Sequence, residues 1–396
     1  MQLNLPDSLR GGWKPRRAGQ QFPIMVWTPP QARRIRAVML FCSNTDSMAL
    51  SAHKPLREVC TRREVGIVYL RFLPFNQMAI KPEGGKSVQD ILARDANALQ
   101  TILNKVADRS GIAEYRHAPW VTQGKSSNGR FPINTMWALP DRVLATITWH
   151  GEVPPFAPPP WAGLKDQTVL HINVNGETEW GGTWYRHVRP CLLMYRAKTG
   201  VLPHQVVSWG IGHGDYPDET SGKGNPTPRM KRSAVWDYIA LWLDKALELR
   251  LPPEGYPTTG PIKLKQVDDT DGYCIDARAP EELLQIPYKP LIREADGTYK
   301  VNAYNARAPN RGESAEDYEK YYRAANPSAG DEQVRKDVAE LMKLQEPKGL
   351  KASQLIRKAA DVPEAERRKM LWVPDRDTAE AWFKLHAIKG QKFDVP

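Results

Sequence analysis

The sequence predicts an α/β fold in which a mostly parallel central sheet is covered by helices on both faces. Short apolar runs alternate with stretches of helical period between residues 37 and 250. Each run is short and mostly apolar, as expected of a strand that is buried on both of its faces. With 396 residues, of which 41% are hydrophobic and 26% charged, the chain is long and apolar enough to bury a large core.

The first part of this region supplies three strands and two helices. The strands are the apolar runs over 37–42, 66–72 and 119–123, and the helices cover 50–63 and 87 to about 111. In the second helix the apolar residues recur at helical spacing, and Ser87 is expected to cap the first turn. A polar loop over 43–47 follows the first strand.

The second part continues the alternation up to residue 250. A helical stretch ends near residue 139, strands follow over 144–149, 169–174 and 205–209, and helices follow over 185–198 and 229–250. Beyond them we predict a hairpin around Asp296-Gly297 and two charged helices, over 315–325 and 330–344. The chain therefore divides into a basic N-terminal arm (1–36), the main α/β domain (37–250) and a C-terminal extension of mixed strand and helix (251–396).

Charge is concentrated near the N-terminus. The net charge is +11, and residues 1–36 carry seven Arg or Lys against the single acidic residue Asp7. Because no nucleic-acid-binding motif accompanies this charge, we expect a solvated, partly extended arm and no nucleic-acid partner. The sequence contains no run of eighteen apolar residues, so no membrane span is predicted. Residues 1–20 contain no apolar segment of the kind found in a signal peptide. The sequence does not indicate the cellular compartment, because a cytoplasmic protein and a secreted or periplasmic protein whose signal peptide has been removed would look alike.

Metal and cofactor sites are not expected. The four cysteines have no CxxC spacing, and the eight histidines include no HExxH motif. Four cysteines in a chain of this length also form no disulfide framework, so we expect buried thiols.

Candidate groups for serine hydrolysis follow three predicted strands. The carboxyl ends of parallel strands meet at one edge of a sheet, where a hydroxyl, a base and an acid can come together. Ser126 follows the strand over 119–123, and Gly124 supplies the small residue that a sharp strand-to-helix turn needs two positions earlier. Ser127 would have Lys125 at that position, so we choose Ser126 as the nucleophile. The backbone N–H of Ser127 is then expected to serve the oxyanion hole.

The acid and the base are expected after two later strands. Glu177 and Glu179 both lie just beyond the strand over 169–174, and either carboxylate could accept the Nδ1–H of a catalytic histidine. His213 follows the strand over 205–209 and has glycine on both sides, which gives its imidazole freedom to reach the serine.

Over residues 37–250 the chain resembles the α/β-hydrolase fold family, in particular its bacterial serine esterases. The matching stretches are PWVTQGKSSNGRF, LPDRVLATITWHG, VLHINVNGETEWGG and VVSWGIGHGDYPD. The family's nucleophile turn is often GHSxGG, so the resemblance aligns Ser126 with the nucleophile and His213 with the family's histidine. The family's acid usually lies three residues after the glycine that closes its strand, which favours Glu179.

The resemblance also implies further details of the nucleophile turn and the oxyanion hole. The second oxyanion donor would come from the loop over 43–47, where we choose Asn44. Lys125 replaces the family's usual histidine at a position expected to point outward. Asn128 replaces a glycine, which raises the question of whether the turn keeps its geometry.

Together these residues imply a serine carboxylic-ester hydrolase that works through an acyl-enzyme. His213 would take the Ser126 proton, and Glu179 would orient His213. Trp149 and Trp180 lie beside the predicted site, and aromatic faces suit sugar rings, so the expected substrate is a carbohydrate ester or another small acyl ester.

Two alternatives remain open from the sequence. A peptidase of the same fold would use the same three residues. In a non-catalytic protein the nucleophile turn would be degenerate through Asn128, and the charged terminal segments would bind a partner or a polyanion. The sequence does not indicate the oligomeric state or the role of residues 251–396.

Overall fold

A computed structural model describes residues 2–4, 23–42, 45–70, 88–151, 164–165, 167–177, 179, 183–214, 216, 230–280, 291–293, 299–301, 319, 330–344, 351–387 and 391–396. Its centre is an eight-stranded sheet. The strands are β1 (Gln2–Asn4), β2 (Pro23–Trp27), β3 (Ala37–Cys42), β4 (Val65–Leu70), β5 (Trp120–Lys125), β6 (Val143–Trp149), β7 (Val169–Gly176) and β8 (Val201–Ser208).

The sheet is mostly parallel. Its order is β1-β2-β4-β3-β5-β6-β7-β8, and the neighbours from β4 to β8 all pair in parallel. β2 runs antiparallel to β4, and β1 runs antiparallel to β2. Every residue of β3 to β8 is buried, in agreement with the mostly apolar runs in the sequence.

Two groups of helices cover this sheet. The helices of the main domain are α1 (Thr45–Ser51), α2 (Lys54–Arg62), α3 (Val88–Ser110), α4 (Arg130–Ala138), α5 (Arg189–Lys198) and α6 (Arg232–Arg250). α2 packs against α6, and α3 packs against α4. The predicted fold class is confirmed.

The C-terminal extension adds small sheets and short helices. Its elements are β9 (Tyr273–Ile275), β10 (Leu291–Arg293), β11 (Tyr299–Val301), α7 (Asp331–Leu344), α8 (Ala352–Leu355), β12 (Ile356–Lys358), α9 (Glu364–Arg367), β13 (Leu371–Val373) and α10 (Arg376–His386). β12, β9 and β13 form an antiparallel sheet. β13 packs beside β8, and α10 packs on both β8 and α6.

Several predicted boundaries change. The helix expected over 50–63 is two helices, because Pro55 in the first turn of α2 cannot continue a preceding helix. β8 begins four residues earlier than predicted, since Pro203 is tolerated on a strand at the edge of the sheet. β10 and β11 pair as the predicted hairpin, and α7 matches the helix predicted over 330–344. Ser87 and, apart from Glu319, the helix predicted over 315–325 lie outside the described residues.

The predicted three-part division stays a prediction, although part of the basic arm belongs to the sheet. β2 lies within residues 1–36, and its Ile24 side chain is buried against the core. All four cysteines are buried, and none takes part in a disulfide. Among the described helices, none combines the length and the apolar character needed to cross a membrane.

Candidate active site

The turn after β5 holds Ser126 in a strained conformation. Ser126 follows the last residue of β5 directly and begins a 3-10 turn over Ser126–Asn128, before α4. Its φ angle is +56°, in the left-handed region that non-glycine residues rarely adopt. Such strain is typical of a residue that the surrounding structure holds in place for a function.

Close backbone approaches explain why glycine is needed around Ser126. A Cβ atom on Gly124 would lie 1.9 Å from the carbonyl oxygen of Asn128, and one on Gly129 would lie 2.7 Å from the Cα of Gly151. Asn128 itself is buried and is not among the described residues with positive φ, so asparagine imposes no left-handed strain there. Asn128 therefore needs no glycine for its backbone conformation, and its effect on activity stays open to test.

Lys125 does not point outward as expected. Its side chain is buried and forms an ion pair with Asp46 in α1. A buried ammonium group needs such a partner, because loss of its hydration would otherwise be costly. The pair links the end of β5 to the first turn after β3, which is the region expected to supply an oxyanion donor.

His213 reaches Ser126 from the loop after β8. Its Nε2 atom lies 2.8 Å from the Ser126 Oγ, within hydrogen-bond distance. A quarter of the His213 side chain is exposed, so the imidazole faces an accessible edge of the sheet. The following residue, Gly214, has a φ angle of +85°, a conformation that favours glycine.

Glu179 contacts the ring nitrogen of His213 that faces away from Ser126. Its carboxylate is fully buried, and its Oε1 accepts a hydrogen bond from the His213 Nδ1. Its Oε2 accepts from the backbone N–H of Gly176 at 3.0 Å and from the Asn175 side-chain amide at 3.3 Å. Burial alone would raise the pKa of Glu179, but His150 and His213 lower this pKa to about 2, so the group is an anion near neutral pH.

The two candidate acids have different surroundings. Glu177 accepts a hydrogen bond from the backbone N–H of Gly210 at 2.8 Å, which ties the end of β7 to the loop after β8. Glu179 is the one that lies within hydrogen-bond distance of His213. Gly176 allows this approach, because a Cβ atom there would lie 2.1 Å from the carbonyl oxygen of Gly212.

His150 is a residue of this site that was not predicted from the sequence. It follows β6 directly and is fully buried, and its Nδ1 lies 3.0 Å from the Glu179 Oε2. Its φ angle of +47° makes it one of three described non-glycine residues with positive φ, together with Glu64 and Ser126. The signal was present, because His150 precedes a glycine at the end of a strand, the kind of position that singled out His213.

The other predicted residues divide into three cases. Ser127 follows Ser126 in the 3-10 turn, and the oxyanion role of its backbone N–H stays a prediction. Trp149 is 1% exposed and stacks on Tyr216 with ring centroids 5.6 Å apart, so it belongs to the core and does not line an open site. Asn44 and Trp180 lie outside the described residues.

Glu179 and the two histidines beside it also have the donor atoms of a metal site. Within the described part of the chain, one group of three metal-type ligands was found, consisting of His150, Glu179 and His213 with ligand atoms within 4.8 Å of one another. Hydrogen bonds between these three side chains account for their proximity.

Substitution of Gly124 by alanine is expected to disrupt the turn that holds Ser126. The added Cβ would collide with a backbone oxygen, which cannot move away as a flexible side chain could, so we expect a loss of about 2–4 kcal/mol of stability. Chemical denaturation would measure this loss. Gly260→Ala is the matched control, because a Cβ there meets no atom within 4 Å, and an equal loss in both variants would contradict the steric argument.

Solved structures align with this chain at low sequence identity and low TM-score. The sequence matches no family model and no curated protein sequence. A thermostable esterase aligns with 12% identity over 52% of this chain and 54% of its own length, with a TM-score of 0.35. A carboxylesterase from Mesorhizobium loti aligns with 15% identity over 61% of this chain and 98% of its own length, with a TM-score of 0.36.

A third structure is LpqC, a poly(3-hydroxybutyrate) depolymerase from Bordetella parapertussis. It aligns with 12% identity over 64% of this chain and 91% of its own length, with a TM-score of 0.37. The chain thus spans about half the length of the thermostable esterase and nearly the whole length of the other two. Likeness at this level assigns no activity, so the function must be argued from the site itself.

Proposed function

We propose that this chain is a serine carboxylic-ester hydrolase that works through an acyl-enzyme. The observation that carries the proposal is the continuous contact from the Ser126 Oγ through His213 to a buried, ionised Glu179. Because the carboxylate can only accept hydrogen bonds, the His213 Nδ1 must carry a proton. In the neutral imidazole, the Nε2 atom that faces Ser126 is then free of a proton and can act as a base.

The reaction follows from this arrangement. The Ser126 Oγ attacks the ester carbonyl carbon while its proton passes to the His213 Nε2, and Glu179 stabilises the resulting imidazolium. The tetrahedral intermediate breaks when His213 returns that proton to the leaving alcohol, which leaves the acyl group on Ser126. Water then attacks the acyl carbon while its proton passes to the His213 Nε2, and His213 returns that proton to the Ser126 Oγ as the acyl–oxygen bond breaks and the acid is released. The Ser127 backbone N–H and a donor from the Asn44 loop would hold the oxyanion.

The substrate is proposed as an ester of a small acyl group. The burial of Trp149 removes one of the two aromatic residues on which the carbohydrate expectation depended. The preference for a sugar ester therefore rests on Trp180 alone. A peptidase with the same residues would differ in cleaving amides, so comparison of matched ester and amide substrates separates the two activities.

A fluorophosphonate probe tests the proposal without a choice of substrate. Such a probe phosphonylates a serine only where a working base and oxyanion hole activate it. We expect modification at Ser126, found by peptide mapping, and its loss in His213→Ala. His53→Ala is the matched control, because His53 also contacts a carboxylate, Asp237, at 2.8 Å but makes no contact with Ser126. No labelling of the folded protein would overturn the proposal.

A further inference from the structure

We infer that His150 is a positioning residue that holds the catalytic acid through a second imidazole, an inference that rests on the proposed function. Each carboxylate oxygen of Glu179 contacts one histidine. The accessible His213 takes Oε1, and the fully buried His150 takes Oε2 at 3.0 Å. The two histidines therefore have different roles, because the one that contacts Ser126 is His213.

The charge of Glu179 determines which group donates in each hydrogen bond that runs from Glu179 through His150 and Tyr216 to Ser208. Because the carboxylate only accepts, the His150 Nδ1 must donate to it. Burial lowers the pKa of His150, so its ring is neutral and its Nε2 must accept a hydrogen bond. The hydroxyl of Tyr216 lies 2.8 Å from that Nε2 and donates to it. The Ser208 hydroxyl, 2.8 Å from the Tyr216 oxygen, then donates in turn.

This chain of hydrogen bonds closes a ring around the acid. Tyr216 lies three residues beyond His213 in the same loop. The loop after β8 is therefore tied to Glu179 twice, directly through His213 and indirectly through Tyr216 and His150. A ring of this kind restricts the position of the loop relative to the carboxylate more than either contact alone would.

His150 also connects the acid to the nucleophile turn. The other two donors to Oε2, Gly176 and Asn175, belong to the acid's own strand. His150 comes from the end of β6, and the next residue, Gly151, packs so tightly on Gly129 that neither has room for a side chain. The His150 segment thus contacts both the turn that carries Ser126 and the carboxylate that orients His213.

The surroundings of His150 leave it little freedom. Its ring meets those of Trp149, His213 and Tyr216 edge to face. Its φ angle of +47° is a strained conformation that its contacts must hold. The charged and titratable groups that act on it are Glu179, His213, Tyr216 and Lys125.

Substitutions at 150 and 216 test the inference. His150→Leu removes the donor, whereas His150→Asn keeps an N–H at the δ position and suits a positive φ angle. Tyr216→Phe removes one hydroxyl from the ring of hydrogen bonds. In each variant kcat and KM would be measured across pH, and kcat would be divided by the fraction of sites that the fluorophosphonate labels, so that misfolded protein does not count.

We expect a fall in kcat/KM of about 10- to 100-fold for His150→Leu. This is the range typical of the loss of a residue that positions a functional side chain by a hydrogen bond. His150→Asn should recover part of this loss. With one donor removed, the carboxylate stabilises the imidazolium more strongly, so the acid limb of the pH profile should move upward by about half a unit. KM should change little, because no substrate contact is lost.

A matched control is available in a second buried pair. Tyr238 contacts the His204 Nε2 at 2.7 Å, away from Glu179, so Tyr238→Phe makes the same chemical change outside the site. If His150→Leu kept its kcat/KM and pH profile per labelled site, or if both tyrosine variants behaved alike, the inference would be wrong. If His150→Leu does not fold, Tyr216→Phe decides in the same way. Absence of labelling in the unsubstituted protein would instead overturn the proposed function, and this inference with it.

Discussion

Replacement of Glu179 by glutamine is expected to lower kcat for ester hydrolysis by about 10⁴-fold, the effect of a similar change in a serine-histidine-aspartate enzyme. The protein should still fold, because the amide has nearly the same size and can satisfy most of the same contacts. The loss should appear in kcat, because the acid acts on the base and not on the substrate. Steady-state kinetics on an activated ester would measure it.

The contacts of Glu179 determine how a glutamine would lie. Three donors surround Oε2, namely the Gly176 N–H, the Asn175 amide and His150. The carbonyl oxygen of a glutamine must occupy that position, since an NH₂ group there would face three other donors. The NH₂ group would then face the His213 Nδ1 and make it an acceptor. The proton of the neutral imidazole would sit on Nε2, against Ser126, where it prevents His213 from acting as a base.

Glu177→Gln is the matched control for this prediction. Glu177 is also a buried strand-end glutamate, but it accepts a hydrogen bond from the Gly210 backbone N–H, and a glutamine oxygen can accept that bond equally well. We expect kcat within a few-fold of the original value in this variant. A large loss in Glu177→Gln together with a small one in Glu179→Gln would reverse the assignment of the acid.

Much of the sheet and the position of the candidate site could be predicted from the sequence. Short, mostly apolar runs identify parallel strands that are buried on both faces, and parallel strands end at a common edge. Ser126, Glu179 and His213 each follow such a strand, and the structure brings His213 within hydrogen-bond distance of both other residues. Their catalytic roles stay a prediction until labelling and kinetics test them.

Features that depend on distant partners could not be predicted in this way. Lys125 is buried because Asp46, 79 residues earlier, forms an ion pair with it. Trp149 is in the core because Tyr216 stacks on it and Trp236 of α6 packs against it. His150 joins the acid only because the chain turns through a positive φ angle after β6. Local spacing in the sequence places His150 at the end of a strand, but it does not reveal these contacts, since each contact depends on which elements pack together.

Stability is expected to fall steeply as pH is lowered from 7 toward 5, because four buried histidines are held neutral. Burial lowers the pKa of His171 to about 3 and that of His386 to about 4. Burial also lowers the pKa of His150 and brings that of His204 well below its usual value. In the unfolded chain the same side chains titrate near 6.5, so below that pH the unfolded state binds more protons than the folded state.

The sign and size of the effect follow from this difference. The stability that each neutral histidine provides is fully present above pH 6.5 and is lost as pH falls toward the folded-state pKa. His171 and His386 each contribute about 1.4 kcal/mol per pH unit, or about 2 kcal/mol by pH 5. These two together account for about 4 kcal/mol of a total stability that is typically 5–15 kcal/mol, and His150 and His204 act in the same direction. Paired carboxylates such as Glu179 add to the loss only at lower pH, because unfolded glutamates titrate near 4.5.

His386 shows why protonation cannot be accommodated locally. Its Nδ1 donates to the carbonyl oxygen of Trp382 at 2.8 Å, and its Nε2 accepts from the backbone N–H of Val207 at 3.0 Å. A proton on Nε2 would face the Val207 N–H and break the contact that holds α10 against β8. His386→Gln offers both a donor and an acceptor but no charge, so the slope of unfolding free energy against pH should fall by about one proton. Equilibrium denaturation in urea from pH 8 to pH 5 would measure both slopes, and an unchanged stability over that range in the unsubstituted protein would contradict the prediction.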